Sequence, residues 1–181
     1  MSTLETNLIQ PSTGTSLTLG ASGDTITIPS GATIANSGTA TGFGGANTPA
    51  FEAYISSAPS ISQATLTILA YNAENFDTAS AYDTSTYKFT PQTSGKYFVY
   101  AKARINDAGD SDNNQLQIFK NTSKVAETLW RAEYFESPFL AATITLNGSS
   151  DYVQVKIYHN FAGTKTVDTD GSVFGAYKII E

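Results

Sequence analysis

Past residue 50 the chain alternates apolar and polar side chains in bursts about ten residues apart, with turn-forming residues between them. The bursts are FEAYIS (51–56), TLTILAY (65–71), YKFTP (87–91), GKYFVYAKARI (95–105), QLQIFK (115–120), VAETLW (125–130), PFLAATITL (138–146), DYVQVKIYHNF (151–161) and SVFGAYKII (172–180). None of them carries a 3.6-residue period, so the pattern predicts short strands and an all-β sandwich or barrel.

The two faces of these strands differ. In 151–161, Val153, Val155 and Ile157 oppose Gln154, Lys156 and Tyr158. Leu116 and Ile118 oppose Gln115 and Gln117, and Ala101, Ala103 and Ile105 oppose Lys102 and Arg104. Such strands are expected in one sheet with one wet face. The last strand instead puts Val173, Gly175, Tyr177 and Ile179 on one face and Phe174, Ala176 and Ile180 on the other. The 138–146 strand sets Leu140, Ala142, Ile144 and Leu146 against small Ala141, Thr143 and Thr145. A sandwich covers one face of a sheet with its partner sheet. Covering the second face needs another subunit, so the pattern favours an oligomer built through the sheet that holds the final strand.

Before residue 50 the pattern thins. Residues 1–48 hold no Tyr, Trp or Val, a single Phe (Phe43) and two charges. Leu17/Leu19 and Ile26/Ile28 alternate as very short strands would, and Ile34 follows. One pass of such chain buries too little surface to offset the entropy of ordering it. The Gly-rich TATGFGGANTP (39–49) reads as a boundary. The expected organisation is an extended, β-rich stem or anchor over 1–48 and a globular domain over 49–181.

Composition narrows the function classes. Charged residues make up 14% of the chain, against about 25% in an average soluble domain. The net charge is −6, and six acids (Glu5, Asp24, Glu52, Glu74, Asp77, Asp83) precede the first base, Lys88. With no basic patch, nucleic acid is not an expected partner. Cysteine is absent, which removes disulfides, thiolate metal sites and thiol nucleophiles. MSTLETNLIQ has neither a basic nor an apolar leader region, so no signal peptide is expected. No apolar run approaches the ~20 residues of a membrane span.

The run NFDTASAYDTSTYKFTPQTSGKYFVYAKARI (75–105) orders Asn75-Phe76-Asp77, Tyr82-Asp83, Phe89-Thr90-Pro91 and Gly95-x-Tyr97-x-Val99. It resembles the centre of a C1q/TNF-like jelly roll. IFKNTSKVA resembles that family's hairpin with a Lys-Asn turn, DYVQVKIY its penultimate strand after the Asn147-Gly148 turn, and SVFGAYKI its closing Phe-x-Gly strand. The resemblance covers about residues 50–181. It implies a ten-stranded, homotrimeric jelly-roll sandwich with the first and last strands near the three-fold axis, and hence a trimer interface of Phe51, Val173, Gly175, Tyr177 and Ile179. The collagenous stalk of the secreted animal proteins is missing. TLGASGDTITIPSGATI instead resembles short repeats in structural proteins of tailed phages.

Candidate chemistry is sparse. His159 is the sole histidine. With no thiol or paired base it makes neither a triad nor a zinc site, and its parity with Ile157 suggests a structural role. Asp107, Asp110 and Asp112 in NDAGDSDNN, and Asp168 and Asp170 in VDTDG, are hard oxygen ligands suited to Ca²⁺, although solvated turns explain both stretches. Asn121-Thr122-Ser123 and Asn147-Gly148-Ser149 match the glycosylation sequon and read as hairpin turns. The aromatics of WRAEYFESPF (Trp130, Tyr134, Phe135, Phe139) are placed in a connection, as a ligand-stacking surface or a satellite core. Glu133 and Glu136 could be paired as glycosidase acids, but no constellation supports catalysis. The function these readings imply is a virion structural protein of a tailed phage: a trimeric surface protein, whether capsid decoration, cement or head fibre. Its N-terminal segment would anchor it, through Leu17, Leu19, Ile26, Ile28 and Ile34, to the major capsid protein or a tail protein. A short tail fibre with a receptor-binding tip and a free-standing glycan-binding module are the alternatives. No cofactor and no membrane insertion are expected.

Overall fold

The computed structural model describes residues 9–35, 37, 47–106, 113–131 and 136–180. The chain divides into two units, Met1–Phe43 and Gly44–Glu181. Among the described residues of the first unit there is no strand. Local turns order it: the Asp24 amide donates to the Ala21 carbonyl (3.0 Å), while Asp24 Oδ2 accepts the Ala21 amide (2.7 Å). Leu17, Leu19, Ile26, Ile28 and Ile34 are 46–59% exposed. This corrects the expectation of short strands there. The alternation is present, but among the described residues no neighbouring strand supplies backbone partners, and an unpaired strand has nothing to hold it.

The second unit is all β among its described residues. Its strands are β1 (Ala50–Tyr54), β2 (Ser60–Ile61), β3 (Thr67–Ile68), β4 (Ala73–Asp77), β5 (Tyr82–Asp83), β6 (Lys88–Phe89) and β7 (Ser94–Lys102). There follow β8 (Asn114–Lys120), β9 (Ser123–Trp130), β10 (Phe139–Asn147), β11 (Val153–Tyr158), β12 (Lys165–Thr166) and β13 (Val173–Ile180). Ten of them form the two layers of a jelly roll, in the orders β10-β7-β13-β1-β4 and β5-β6-β11-β8-β9. β3 adds to β11, and β2 pairs with β12. Neighbours within both layers run antiparallel, as the alternation of the longer strands requires.

The core lies between the layers. Phe51 of β1 stacks on Tyr82 (4.6 Å between centroids) and Phe89 (4.5 Å) of the facing layer and meets Phe174 of β13 edge-on at 4.9 Å. It is fully buried within a single chain. Phe51 therefore belongs to the sandwich interior and not to a subunit interface, because β1 turns Phe51 and Ala53 inward and Glu52 and Tyr54 outward. A second correction concerns β7. It lies beside β13 in the first layer, not with β8 and β11. Lys96 and Lys102 flank its outward side, Arg104 lies just beyond its end, and its middle carries Phe98 and Tyr100 outward. A bulge at Ile179 also sets Ile180 opposite Lys96, on the outward side, where alternation alone placed it inward.

The two sequon asparagines are hairpin elements. Asn121 has φ 56° in the turn between β8 and β9. Asn147 Oδ1 accepts the amides of Ser149, Ser150 and Asp151 at 2.9–3.0 Å. Gly148 follows with φ 72°, and a Cβ there would meet the Ser94 amide nitrogen at 2.2 Å, so glycine is required. Asp151 ties the two turns together through Lys120 Nζ (2.8 Å) and Asn121 Nδ2 (2.9 Å), and these bonds hold its carboxyl below the usual carboxylate range.

Candidate functional site

The outward side of the first layer is the most distinctive surface of the domain. The registers arrange it in cross-strand rows. One runs Phe139–Lys102–Val173–Tyr54, the next Ala141–Tyr100–Gly175–Glu52–Phe76, and the third Thr143–Phe98–Tyr177–Ala50. Phe98 packs against Tyr177 (5.5 Å) and Tyr100 (6.2 Å), and Tyr100 against Phe139 (6.4 Å). The rings thus form one continuous aromatic strip across β13, β7 and β10. Much of it faces outward: Phe139 is 59% exposed, Tyr177 38%, Ile179 43%, Ile180 52% and Phe76 48%. Such a contiguous apolar patch marks an interaction site rather than ordinary surface.

The middle row is built around an absent side chain. A Cβ on Gly175 would lie 2.4 Å from Tyr100, so glycine lets that ring lie flat across β13. Tyr100 thereby reaches β1, where its hydroxyl donates to Glu52 Oε2 at 2.6 Å. Asn75 Nδ2 donates to the other oxygen at 2.8 Å. Burial, reinforced by the bond to the Glu52 carboxylate and by its charge, raises the Tyr100 phenol well above its ordinary value. Glu52 is the one acid that the rows place within this patch, and both its oxygens are engaged.

The outward side of the second layer is of the opposite kind. Gln117 Nε2 donates to Glu127 Oε1 (2.8 Å) and also contacts Gln115 Oε1, while Gln154 Nε2 donates to the Thr86 carbonyl (2.8 Å). Lys124 pairs with Glu127 at 2.9 Å. Lys156 lies 4.0 Å over the Phe119 ring and Lys88 4.2 Å over Tyr152. Its polar groups are largely paired with one another, although Leu129 (63% exposed) and Ile68 (43%) also lie on this side.

Val173, Gly175, Tyr177 and Ile179 share the aromatic side, apart from the core-bound Phe51. Sequence reasoning missed Phe98, Tyr100 and Glu52; the only signal was that YFVY (97–100) is aromatic on both faces. Trp130 ends β9 rather than lying in a connection, half-buried against the core, and its carbonyl accepts Asn114 Nδ2 at 3.2 Å. Tyr134, Phe135 and Glu133 lie outside the described residues, as do Asp107, Asp110 and Asp112. Glu136 is exposed. Asp168 is ion-paired with Arg104, and its Oδ1 accepts the Asp170 amide at 2.9 Å, so it is engaged in holding its own turn. His159 is fully buried, with Nε2 3.1 Å from the Ile61 carbonyl.

No family model and no curated protein matches the chain. Solved structures do. Eiger TNF from S. frugiperda is 16% identical with a TM-score of 0.56, over 73% of this chain and 92% of that one. The PRD1 vertex protein P5 is 16% identical with a TM-score of 0.57, over 75% and 99%. The globular domain of zebrafish complement 1qA is 20% identical with a TM-score of 0.54, over 74% and 99%. The domain accordingly has the TNF/C1q-like jelly-roll fold.

Proposed function

We propose that the chain is a homotrimeric surface protein of a tailed-phage virion, with the jelly roll as its outer head and the N-terminal segment as its anchor on the capsid. The carrying observation is the aromatic side of the first layer. Phe76, Phe139, Tyr177, Ile179 and Ile180 are each roughly half exposed. Covering them contributes about 1 kcal/mol apiece, so on the order of 5 kcal/mol per chain, when a full side chain yields about 1.5–3. Three copies closing around an axis through this side cover it without leaving an open, self-propagating edge. The PRD1 vertex protein P5 supports the setting, since a protein of that name shares the fold. The exposed Leu17, Leu19, Ile26, Ile28 and Ile34 support the anchor, because short apolar segments of this kind gain order by pairing with another chain. The reading assigns no reaction to the protein.

Three measurements test it. Native mass spectrometry of the purified protein is expected to give three chains per particle, and a monomer at micromolar concentration would refute the assembly. An inventory of purified virions should contain the protein at a copy number divisible by three, and deletion of residues 1–43 should abolish attachment. A truncated protein that still binds virions fully would remove the anchoring role.

A further inference from the structure

Among the described residues, two side-chain atoms are buried without a hydrogen-bond partner: Asn114 Oδ1 and His159 Nδ1. Both residues are fully buried. Although 45 positions separate them in the chain, they are neighbours in the sheet. The antiparallel register of β11 and β8 pairs Tyr158 with Gln115, so the next step sets His159 beside Asn114. The parity of the two strands turns both residues inward, His159 in line with Val155 and Ile157 and Asn114 in line with Leu116 and Ile118. Side chains at directly opposed positions start from Cβ atoms about 5 Å apart. The two orphan atoms therefore share one end of the sandwich interior.

Their chemistry is equally constrained. The Ile61 carbonyl can only accept, so the ring nitrogen 3.1 Å from it, Nε2, carries the imidazole proton. In the imidazole tautomer with its proton on Nε2, Nδ1 is a bare acceptor. Asn114 spends an amide proton on the Trp130 carbonyl, which fixes its oxygen as the unpaired atom. Two acceptors cannot satisfy each other, and a buried acceptor left unpaired is costly. A single species with two donor protons satisfies both.

We infer that the domain holds a structural water molecule between Asn114 and His159, donating one proton to Asn114 Oδ1 and the other to His159 Nδ1. The water links β8 to β11 at the end of the ladder and, through Ile61 and Trp130, ties β2 and the end of β9 to the same point. Buried waters of this kind make two to four hydrogen bonds and are costly to remove. Its role is positional, holding the Trp130 end of β9 against the core.

His159 is the only histidine, so its ring nitrogens need no assignment strategy. The test is ¹⁵N NMR of the uniformly labelled full chain at pH 7.5. Nε2 should resonate as a protonated nitrogen. Nδ1 should resonate as an unprotonated one shifted by an accepted hydrogen bond, with cross-relaxation from the ring protons to a slowly exchanging water. Either of two results overturns the inference. One is a proton on Nδ1, which would bond directly to Asn114. The other is an Nδ1 at its unbonded position with no water contact, which would make the site dry. In the Asn114→Leu variant, if it folds, the water contact should vanish and the Nδ1 resonance should move to the unbonded position. An unchanged spectrum would likewise exclude the bridge.

Discussion

Gly175→Ala adds one methyl group to the centre of the aromatic side. Its carbon would lie 2.4 Å from Cζ and the hydroxyl oxygen of Tyr100 and 2.9 Å from the Phe51 carbonyl oxygen. The ring can swing away; the backbone carbonyl, held in the β1–β13 ladder, cannot do so cheaply. Overpacking of this kind costs about 1–3 kcal/mol. Moving Tyr100 also breaks its 2.6 Å bond to Glu52, and a hydrogen bond to a charged group contributes about 1.5–3 kcal/mol. Alanine returns roughly 0.5–1 kcal/mol through its better fit to a strand interior. The net loss is about 2–5 kcal/mol, a fall of roughly 6–15 °C in Tm for a domain of this size. Thermal unfolding at matched protein concentration measures it, since assembly makes Tm concentration-dependent. Tyr100→Phe isolates the hydrogen bond. Adding Tyr100→Ala to the Gly175→Ala background should recover part of the loss, because the clash needs both partners. If Gly175→Ala melts within about 1 °C of the parent, the close approach of Tyr100 to β13 is not a constraint, and the account of the middle row fails.

Three further outcomes follow from the same contacts. Tyr177→Asp or Phe139→Asp places a charge in the strip, so native mass spectrometry should show single chains while circular dichroism stays that of the parent; an intact trimer would place the interface elsewhere. Phe51→Ala, inside the core rather than at an interface, should lower stability by about 3–5 kcal/mol in urea unfolding without altering the number of chains per particle at native conditions. Burial raises the phenols of Tyr71, Tyr82, Tyr97 and Tyr100 above their ordinary values. In the folded state these groups hold their protons longer than in the unfolded state. The stability they contribute is therefore complete below about pH 10 and falls as pH rises beyond it. In a spectrophotometric titration those four should ionise only with the loss of native circular dichroism, and ionisation of all ten tyrosines in one wave near pH 10 in folded protein would contradict the burial.

The strands that could be read from sequence are those whose two faces differ chemically. β8, β10 and β11 set aliphatics against amides, lysine or threonine, so period and face were both visible. β7 misled because its polar end spoke for the whole strand, while Tyr97 and Val99 face the core and Phe98 and Tyr100 face out. The resemblance sets the first strand near the axis without saying which of its faces is interior, so the expected interface takes in Phe51 although β1 turns it into the core. β2, β3 and β12 are two residues long and have no period to detect. The Tyr100–Glu52 bond spans 48 positions and depends on what residue 175 lacks, which no local pattern records. The N-terminal segment fails in the opposite sense: its alternation is legible, yet pairing is a property of neighbours and not of the segment.

The contrast between the two outward sides bears on the proposed assembly. On the second layer, covering the surface would strip water from Lys88, Lys124 and Lys156, whose charges already rest on rings or a carboxylate. A buried pair of that kind returns little net energy once its desolvation is counted. On the first layer, the Glu52 charge that would be costly to bury already receives the Tyr100 hydroxyl and the Asn75 amide before any partner arrives. Besides Lys96 and Lys102, what remains outward there is mainly ring and aliphatic surface, whose removal from water is favourable. A chain needing only solubility would have no use for that preorganisation, because an exposed carboxylate is satisfied by water alone. The internal satisfaction of Glu52 thus argues that this side is meant to be dry, and it makes Glu52→Ala informative. Leaving the Tyr100 hydroxyl without its acceptor should weaken assembly at least tenfold, about 1.4 kcal/mol, measured as the concentration for half-dissociation. Equal dissociation of variant and parent would mean that the pair stays wet in the assembled protein.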